Sequence, residues 1–193
     1  MMRLYLSLTL LLVCLSSSAQ LTDQEIYDRK GGRLLNDTSY IYSLPYLKGT
    51  RHLFIQGANS KYSHQNELSY DFKMKQGSMI SAARPGIVIE TKSDSKTGGL
   101  KPENLADGNH IIIQHSDGSI AKYWHLQFEG VLVNKGDSVQ QGQAIGLSGN
   151  TGYSAFPHLH FQVFDKNNRN ILVRFQTKHG VKYIKPGRSY KSV

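Results

Sequence analysis

The hydrophobic positions of this chain fall mostly into short runs rich in β-branched and aromatic residues, separated by glycine, asparagine and aspartate. Runs of about four to eight residues between turn-forming residues predict β-strands. The predicted strands are GIVIETK (86–92), HIIIQH (110–115), IAKYWHL (120–126), GVLVNKG (130–136), AIGLSG (144–149), LHFQVF (159–164), LVRFQT (172–177) and VKYIK (181–185). We therefore predict a mostly β protein, an antiparallel β-sandwich or partly open barrel with a central cleft and few short helices.

The first 19 residues have a different pattern. Arg3 precedes a largely apolar run over residues 4–15, and small residues at 17–19 predict cleavage after Ala19, as in a secretory signal peptide. The run is too short to span a membrane. We expect a periplasmic or secreted protein with no membrane span in the mature chain. Cleavage removes Cys14, the single cysteine, so a metal ion would have to be held by His, Asp or Glu.

The remaining chain divides into three predicted parts. Residues 20–55 form an N-terminal extension packed on the domain, and a short helix is predicted at its start, with Thr22 as cap and Glu25 three residues on. Residues 56–165 form the core, and residues 166–193 a basic C-terminal hairpin with a frayed tail. A polar loop at 95–109 separates two predicted strands and is a candidate for function.

The net charge bears on possible partners. It is +9 for the whole sequence, and loss of Arg3 with the signal peptide leaves +8. This charge favours an anionic setting such as the bacterial cell envelope, although a solvated basic surface explains it equally well. We expect a monomer with no nucleic-acid partner.

The clearest chemical candidate is the segment HLHFQVF. Alternate residues of a strand share a face, so His158 and His160 are predicted to face away from a core that receives Leu159 and Phe161. A pair of histidines two residues apart is weak evidence for a metal site by itself, because a satisfied structural pair is a common alternative.

Two further segments offer matching chemistry. In IAKYWHL, Tyr123 and His125 are predicted to share a face opposite Trp124. Asp71 lies between two aromatic residues, where a lone carboxylate needs a partner such as a cation, and His64 precedes it by seven residues, within reach of a short loop. Two imidazoles, a carboxylate and an open water position form a typical catalytic zinc site.

These segments together resemble a known family, the lysostaphin-type, LytM-like zinc endopeptidases of bacterial cell walls (peptidase family M23). That family has an H-x(n)-D motif, then Y-x-H-L, then H-L-H-F. The corresponding residues here, in the same order, are His64 with Asp71, Tyr123-Trp124-His125-Leu126, and His158-Leu159-His160-Phe161. The resemblance covers about residues 56–164. Five chemical positions in the correct order are far more specific than any one motif.

The resemblance implies roles for individual residues. His64, Asp71 and His160 would hold Zn²⁺, which acidifies a water molecule and polarises the scissile carbonyl. His125 and His158 would be the catalytic pair, with the choice of general base left open. Tyr123 and Asn109 are further candidates, either as residues that support the site or as residues that bind substrate.

The sequence also departs from the family pattern. The spacing from His64 to Asp71 is longer than the compact form of the motif, so a small loop must be inserted. Gln162 stands where Glu is common, and GYSAFPHLHFQ replaces a more usual small-residue approach. These differences bear on the rim of the cleft and on the choice of substrate.

The sequence leaves two functions in competition. The first is an exported zinc metalloendopeptidase that hydrolyses peptide cross-links of peptidoglycan. The alternative is a catalytically silent module on the same fold that binds the cell wall or regulates an amidase or peptidase. A silent version should lose a ligand or a catalytic histidine, and all five groups are present, which favours the enzyme.

Overall fold

The computed structural model describes residues 22–30 and 40–193. The predicted signal peptide, with its cleavage site after Ala19, lies outside the described residues. No helix within the described part of the chain is long and apolar enough to cross a membrane.

The described chain is mostly β, as predicted. It contains helix α1 at Asp23–Lys30, a 3₁₀ helix at Pro102–Asp107, and the strands β1 (Ile41–Tyr42), β2 (Arg51–Gln56), β3 (Ser69–Lys73), β4 (Met79–Ser81), β5 (Gly86–Lys92), β6 (Gly98–Gly99), β7 (Asn109–Gln114), β8 (Ile120–Val131), β9 (Ser138–Val139), β10 (Ala144–Ser148), β11 (Gly152–Tyr153), β12 (His158–Phe164), β13 (Arg174–Thr177), β14 (Gly180–Lys182) and β15 (Arg188–Lys191).

Ten of these strands form one open antiparallel sheet. Eight follow the order β15–β2–β3–β12–β8–β7–β5–β9, while β10 pairs with both β8 and β4. A three-stranded sheet has the order β1–β13–β14, and β6 pairs with β11. The β1–β13 and β6–β11 pairs are parallel.

Aromatic side chains fill the core between the large sheet and the three-stranded sheet. Phe161 of β12 is fully buried and contacts Tyr123 of β8, with ring centroids 5.1 Å apart. From the three-stranded sheet, Tyr42 and Phe175 approach the same ring at 6.0 and 6.1 Å. Since this core covers one face of β12 and β8, the opposite face is available for chemistry.

The N-terminal helix is capped as predicted. The backbone N–H of Glu25 donates to Thr22 Oγ1 at 3.2 Å, and Thr22 N–H donates back to Glu25 Oε2 at 2.7 Å. This reciprocal pair satisfies donors that the first helical turn leaves unpaired. Ile26 on the same helix is buried in the main core.

Two predicted segments differ in the structure. The strand predicted over 130–136 is wrong, because β8 runs on to Val131 and the chain then turns at Gly136, where φ is +97°. At the C-terminus, β13 and β14 form the predicted hairpin. The predicted frayed tail is wrong, because Arg188–Lys191 forms β15 and pairs with β2 at the edge of the large sheet.

Candidate metal centre and cleft

Neighbouring strands bring two of the predicted ligands together. Antiparallel pairing of β3 with β12 places His160 directly opposite Asp71. As predicted from the alternation, Leu159 and Phe161 are fully buried in the core, while His160 lies on the other face of the sheet. Its Nδ1 is 2.9 Å from Asp71 Oδ1.

A loop between β2 and β3 returns His64 to the same place. The loop is closed by hydrogen bonds from Asn59 N–H to Glu67 O at 2.8 Å and from Glu67 N–H to His64 O at 3.1 Å. Asn59 and Asn66 adopt positive φ angles of 55° and 59°, which asparagine tolerates better than most residues. His64 Nε2 consequently lies 3.0 Å from Asp71 Oδ2, so the longer spacing of the motif is absorbed by the loop.

His125 reaches the cleft through a bulge in β8. His110 of β7 pairs with Trp124, and Asn109 pairs with Leu126, so His125 has no partner on β7. Its φ is +67°, a left-handed conformation that redirects the side chain. The predicted shared face of Tyr123 and His125 is therefore wrong, since the bulge interrupts the two-residue alternation between them.

The other two predicted site residues lie behind the cleft. Tyr123 is fully buried in the core, and its Oη accepts the N–H of Ala83 at 2.9 Å. Asn109 is also fully buried. Its side chain donates to Ser95 O at 2.8 Å, and its backbone N–H donates to Thr151 Oγ1 at 3.0 Å. Asn109 thus supports the segment that contacts His125, and neither residue lines the cleft.

The four histidines of the cleft are oriented in a common way. Each uses one ring nitrogen to bond a fixed oxygen and turns the other toward the centre. The oxygen contacts are Gly57 O with His64 Nδ1 at 3.1 Å, Thr151 O with His125 Nδ1 at 2.8 Å, Phe156 O with His158 Nδ1 at 2.8 Å, and Glu67 Oε1 with His160 Nε2 at 3.0 Å. Because an oxygen acceptor requires a protonated nitrogen, the bonds of His64, His125 and His158 assign the N–H to the outward nitrogen. His160 instead has a carboxylate oxygen beside each ring nitrogen.

The donor atoms at the centre fit a metal cation. His64 Nε2 is buried and has no hydrogen-bond partner within the described chain, although Asp71 Oδ2 is 3.0 Å away. A nitrogen lone pair this close to a carboxylate oxygen is unfavourable unless a cation lies between them. Ligand atoms of His64, Asp71 and His160 all lie within 4.8 Å of one another. Two imidazoles and a carboxylate are a typical donor set for catalytic zinc.

Electrostatics differ sharply between the predicted ligands and the predicted catalytic pair. Burial alone would raise the pKa of Asp71, but hydrogen bonding to His160 outweighs it and holds that pKa well below its usual range. Burial likewise opposes charge on His160, yet its bonds to Asp71 and Glu67 raise its pKa to about 10. Burial, with the neighbouring His158 and His160, lowers the pKa of His125 to about 3. Burial also lowers the pKa of His158, so both members of the pair are neutral at physiological pH.

The centre lies in an open cleft of about 900 Å³. Exposed apolar side chains form much of the rim, namely Tyr62, Leu100, Leu105, Tyr153 and Phe156. The predicted functional loop at 95–109 contributes two of them. No lysine or arginine is among the lining residues. The sequence analysis did not identify Glu67, which also lines the cleft. The one feature of the sequence that points to this residue is a carboxylate four positions before Asp71.

The profile of peptidase family M23 matches residues 63–172, more than half of the chain. The chain belongs to peptidase family M23. The match spans all five residues of the predicted zinc-ligand and catalytic sets.

Several known proteins are similar to this chain over about half its length. An uncharacterised metalloprotease of Buchnera aphidicola is 40% identical over 94 residues, which cover 49% of this chain and 22% of that protein. Peptidoglycan DD-endopeptidase ShyA of Vibrio cholerae is 37% identical over 93 residues, covering 48% and 19%. Lysostaphin of Staphylococcus simulans is 39% identical over 92 residues, covering 48% and 17%. The M23 chain thus spans about a fifth of the length of these relatives.

Solved structures share the M23 fold. A zinc-containing peptidase from Vibrio cholerae superposes with a TM-score of 0.52 and 26% identity, covering 67% of this chain and 38% of that one. A chain of the SpoIIQ–SpoIIIAH pore-forming complex gives a TM-score of 0.50 at 22% identity, covering 68% and 87%. Because the sequence identity to the second structure is low, that similarity concerns the fold alone.

Proposed function

We propose that this M23 chain is an exported zinc endopeptidase that hydrolyses peptide cross-links of bacterial peptidoglycan. The observation that carries the proposal is the convergence of His64, Asp71 and His160 with His125 and His158 in one open cleft. The endopeptidase relatives ShyA and lysostaphin support the reaction class, and the zinc-containing peptidase structure supports the metal.

Within this proposal, His64, Asp71 and His160 hold the zinc ion. When bound, zinc supplies Lewis-acid chemistry, which polarises a carbonyl and makes water a better nucleophile at neutral pH. The carboxylate of Asp71 offsets part of the positive charge in a buried place where an unpaired ion would be costly.

His125 and His158 perform the proton transfers. The Nδ1 proton of His125 is fixed on the carbonyl of Thr151, and that of His158 on the carbonyl of Phe156. Each ring therefore keeps Nε2 free to accept a proton from water or return one to the leaving amine. The ring centroids are 4.6 Å apart, so both act on one substrate position. Burial lowers the pKa of both rings, so both are neutral at physiological pH and neither Nε2 lone pair is occupied by a proton.

The proposal is tested with isolated wall sacculi. The zinc-loaded protein should release new amino groups from sacculi, a chelator should abolish the release, and added zinc should restore it. A protein that binds sacculi without releasing amino groups would instead support the catalytically silent, wall-binding module. Export is tested separately by the N-terminal residue of the mature protein, which should be Gln20.

An exposed basic area continues from the catalytic face of the sheet. In the antiparallel registers, Lys191 lies opposite Arg51, and Lys73 lies opposite both Leu53 and His158. Arg51, Lys73 and Lys191 are exposed and form no ion pair within the described ranges 22–30 and 40–193. Like charges directly opposite each other destabilise a strand pair, so an anionic partner would stabilise the pairing of β15 with β2.

We therefore expect binding to sacculi to weaken as salt is added, while turnover of a short soluble peptide changes little. Exposed charges are screened over about 8 Å at physiological ionic strength. The double variant Lys73→Gln/Lys191→Gln should bind sacculi more weakly at low salt. Lys135→Gln is the control, because Lys135 lies in the turn before β9 at the other end of the sheet. Equal salt sensitivity on both substrates would show that the basic area does not dock the wall.

A further inference from the structure

Glu67 lies at the centre without belonging to the predicted ligand set. Its Oε1 is 3.0 Å from His160 Nε2, and the same oxygen accepts a hydrogen bond from Gln162 Nε2. Only 29% of the Glu67 side chain is exposed. It has no counterpart in the five-residue pattern that identifies the family.

The backbone around Glu67 fixes the direction of this carboxylate. Its N–H donates to His64 O at 3.1 Å, and its carbonyl accepts the N–H of Asn59 at 2.8 Å. The same loop therefore positions both a predicted ligand and Glu67. Gln162 lies on the cleft face of β12, two residues beyond His160, and holds the carboxylate from the other side.

The two ring nitrogens of His160 point in diverging directions. Nδ1 faces Asp71 Oδ1 at 2.9 Å, whereas Nε2 faces Glu67 Oε1. A carboxylate on the far edge of the ring can accept the Nε2 proton, which would leave the Nδ1 lone pair for a metal ion. Such outer partners fix the tautomer of a metal-bound histidine and make it a stronger donor.

We propose that Glu67, held by Gln162, is a positioning residue that orients His160 for zinc. This inference rests on the proposed zinc centre. Position 162, where Glu is common in the family, is Gln in this chain. In this chain the carboxylate comes from the inserted loop, and the strand residue is the amide that holds it.

Glu67 differs from the acceptors of the other three histidines. His64, His125 and His158 bond to backbone carbonyls, which are neutral. A hydrogen bond to an ionised carboxylate is shorter and about twice as strong as a neutral one. His160 is thus the histidine of this cleft whose outward nitrogen is held by a side chain and not by the backbone.

The test measures zinc affinity by chelator competition. Glu67→Gln should bind zinc about 10–100-fold more weakly, the usual cost of losing such a partner, and should change the absorption spectrum of the cobalt-substituted protein. Its metal-free form should stay folded, with only a small drop in melting temperature from the weakened hydrogen bond to His160. The matched control is Glu90→Gln, because Glu90 Oε1 accepts from His110 Nε2 at 2.9 Å in the same manner, outside the centre. Zinc affinity of that control should equal wild type.

A carboxylate swap separates positioning from simple packing. In Glu67→Gln/Gln162→Glu the amide and the carboxylate exchange residues within the same hydrogen-bonded pair, so zinc affinity should return most of the way to wild type. Unchanged affinity in Glu67→Gln would overturn the inference. A large drop in the melting temperature of the metal-free protein, with no recovery of zinc affinity in the swap, would also overturn it. Glu67 would then only stabilise the loop.

These outcomes are distinct from failure of the proposed function. A wild-type protein that binds no zinc overturns both the metal centre and the role of Glu67. A wild-type protein that binds zinc with the expected sensitivity to Glu67→Gln, yet releases nothing from sacculi, overturns the endopeptidase activity and leaves the positioning role intact.

Discussion

Replacing His125 by alanine should slow hydrolysis of wall peptides by about 10²–10⁴-fold while most of the zinc remains bound, because a positioned acid or base contributes that much to rate. His125 is outside the predicted ligand set, and its Nδ1 proton is held by Thr151, which leaves Nε2 for the reaction. The rate is measured on isolated sacculi and on a short soluble cross-linked peptide. His158→Ala should lose activity in the same way.

The backbone at residue 125 calls for a second substitution. Its φ of +67° is a conformation that histidine and asparagine adopt more readily than most residues. His125→Asn should therefore keep the bulge and still lose hydrolysis, which separates the chemistry of the ring from strain in β8. His179→Ala is the control, because His179 is an exposed residue outside the cleft. If His125→Ala and His158→Ala both cut wall peptides at the wild-type rate, the proposed roles are wrong.

The second large effect concerns the metal itself. The wild-type protein should contain one zinc ion per chain, and His160→Ala should weaken zinc binding by more than about 100-fold, beyond the cost of losing an outer partner. The substitution removes the Nδ1 donor 2.9 Å from Asp71 and leaves that buried carboxylate with one fewer cationic or hydrogen-bonding partner. Zinc content is measured by elemental analysis after reconstitution and dialysis.

A matched comparison keeps this result specific. His52→Ala removes a histidine that contacts Tyr46 edge to face, away from the cleft, and should leave zinc content at the wild-type value. Asp71→Asn should resemble His160→Ala, because an amide of the same shape lacks the negative charge. Unchanged zinc content in His160→Ala would show that the ion is held elsewhere, because His160 belongs to both donor sets that the described residues offer.

Much of the fold could be predicted because buried strands carry a clear apolar signature. GIVIETK and HLHFQVF alternate or cluster their apolar residues, and both form strands at the expected places. β3 was harder to recognise, because a strand that places Asp71 and Lys73 on its cleft face lacks a regular apolar pattern. β15 was also missed, since its charged residues resemble a solvated tail until β2 offers a partner.

The site was predictable in its members and less so in its geometry. The order of the motifs identified the five groups, but the alternation rule placed Tyr123 beside His125, and the left-handed bulge moves them to opposite faces. A bulge depends on how β7 and β8 pair, which a single strand does not encode. Glu67 escaped notice for a similar reason, since its contact with His160 exists only after the loop closes.

The three histidines oriented by backbone carbonyls have a consequence for evolution. Every amino acid supplies a carbonyl, so the residue that orients an imidazole can change its side chain without releasing the ring. Phe156 is the clearest case, because its carbonyl holds His158 while its half-exposed ring forms part of the rim. A side-chain mutation at the rim therefore leaves the orientation of His158 unchanged. Under the proposed function, descendants of this chain could therefore change the cross-link they cut by altering the rim one residue at a time, without losing the groups that perform the hydrolysis.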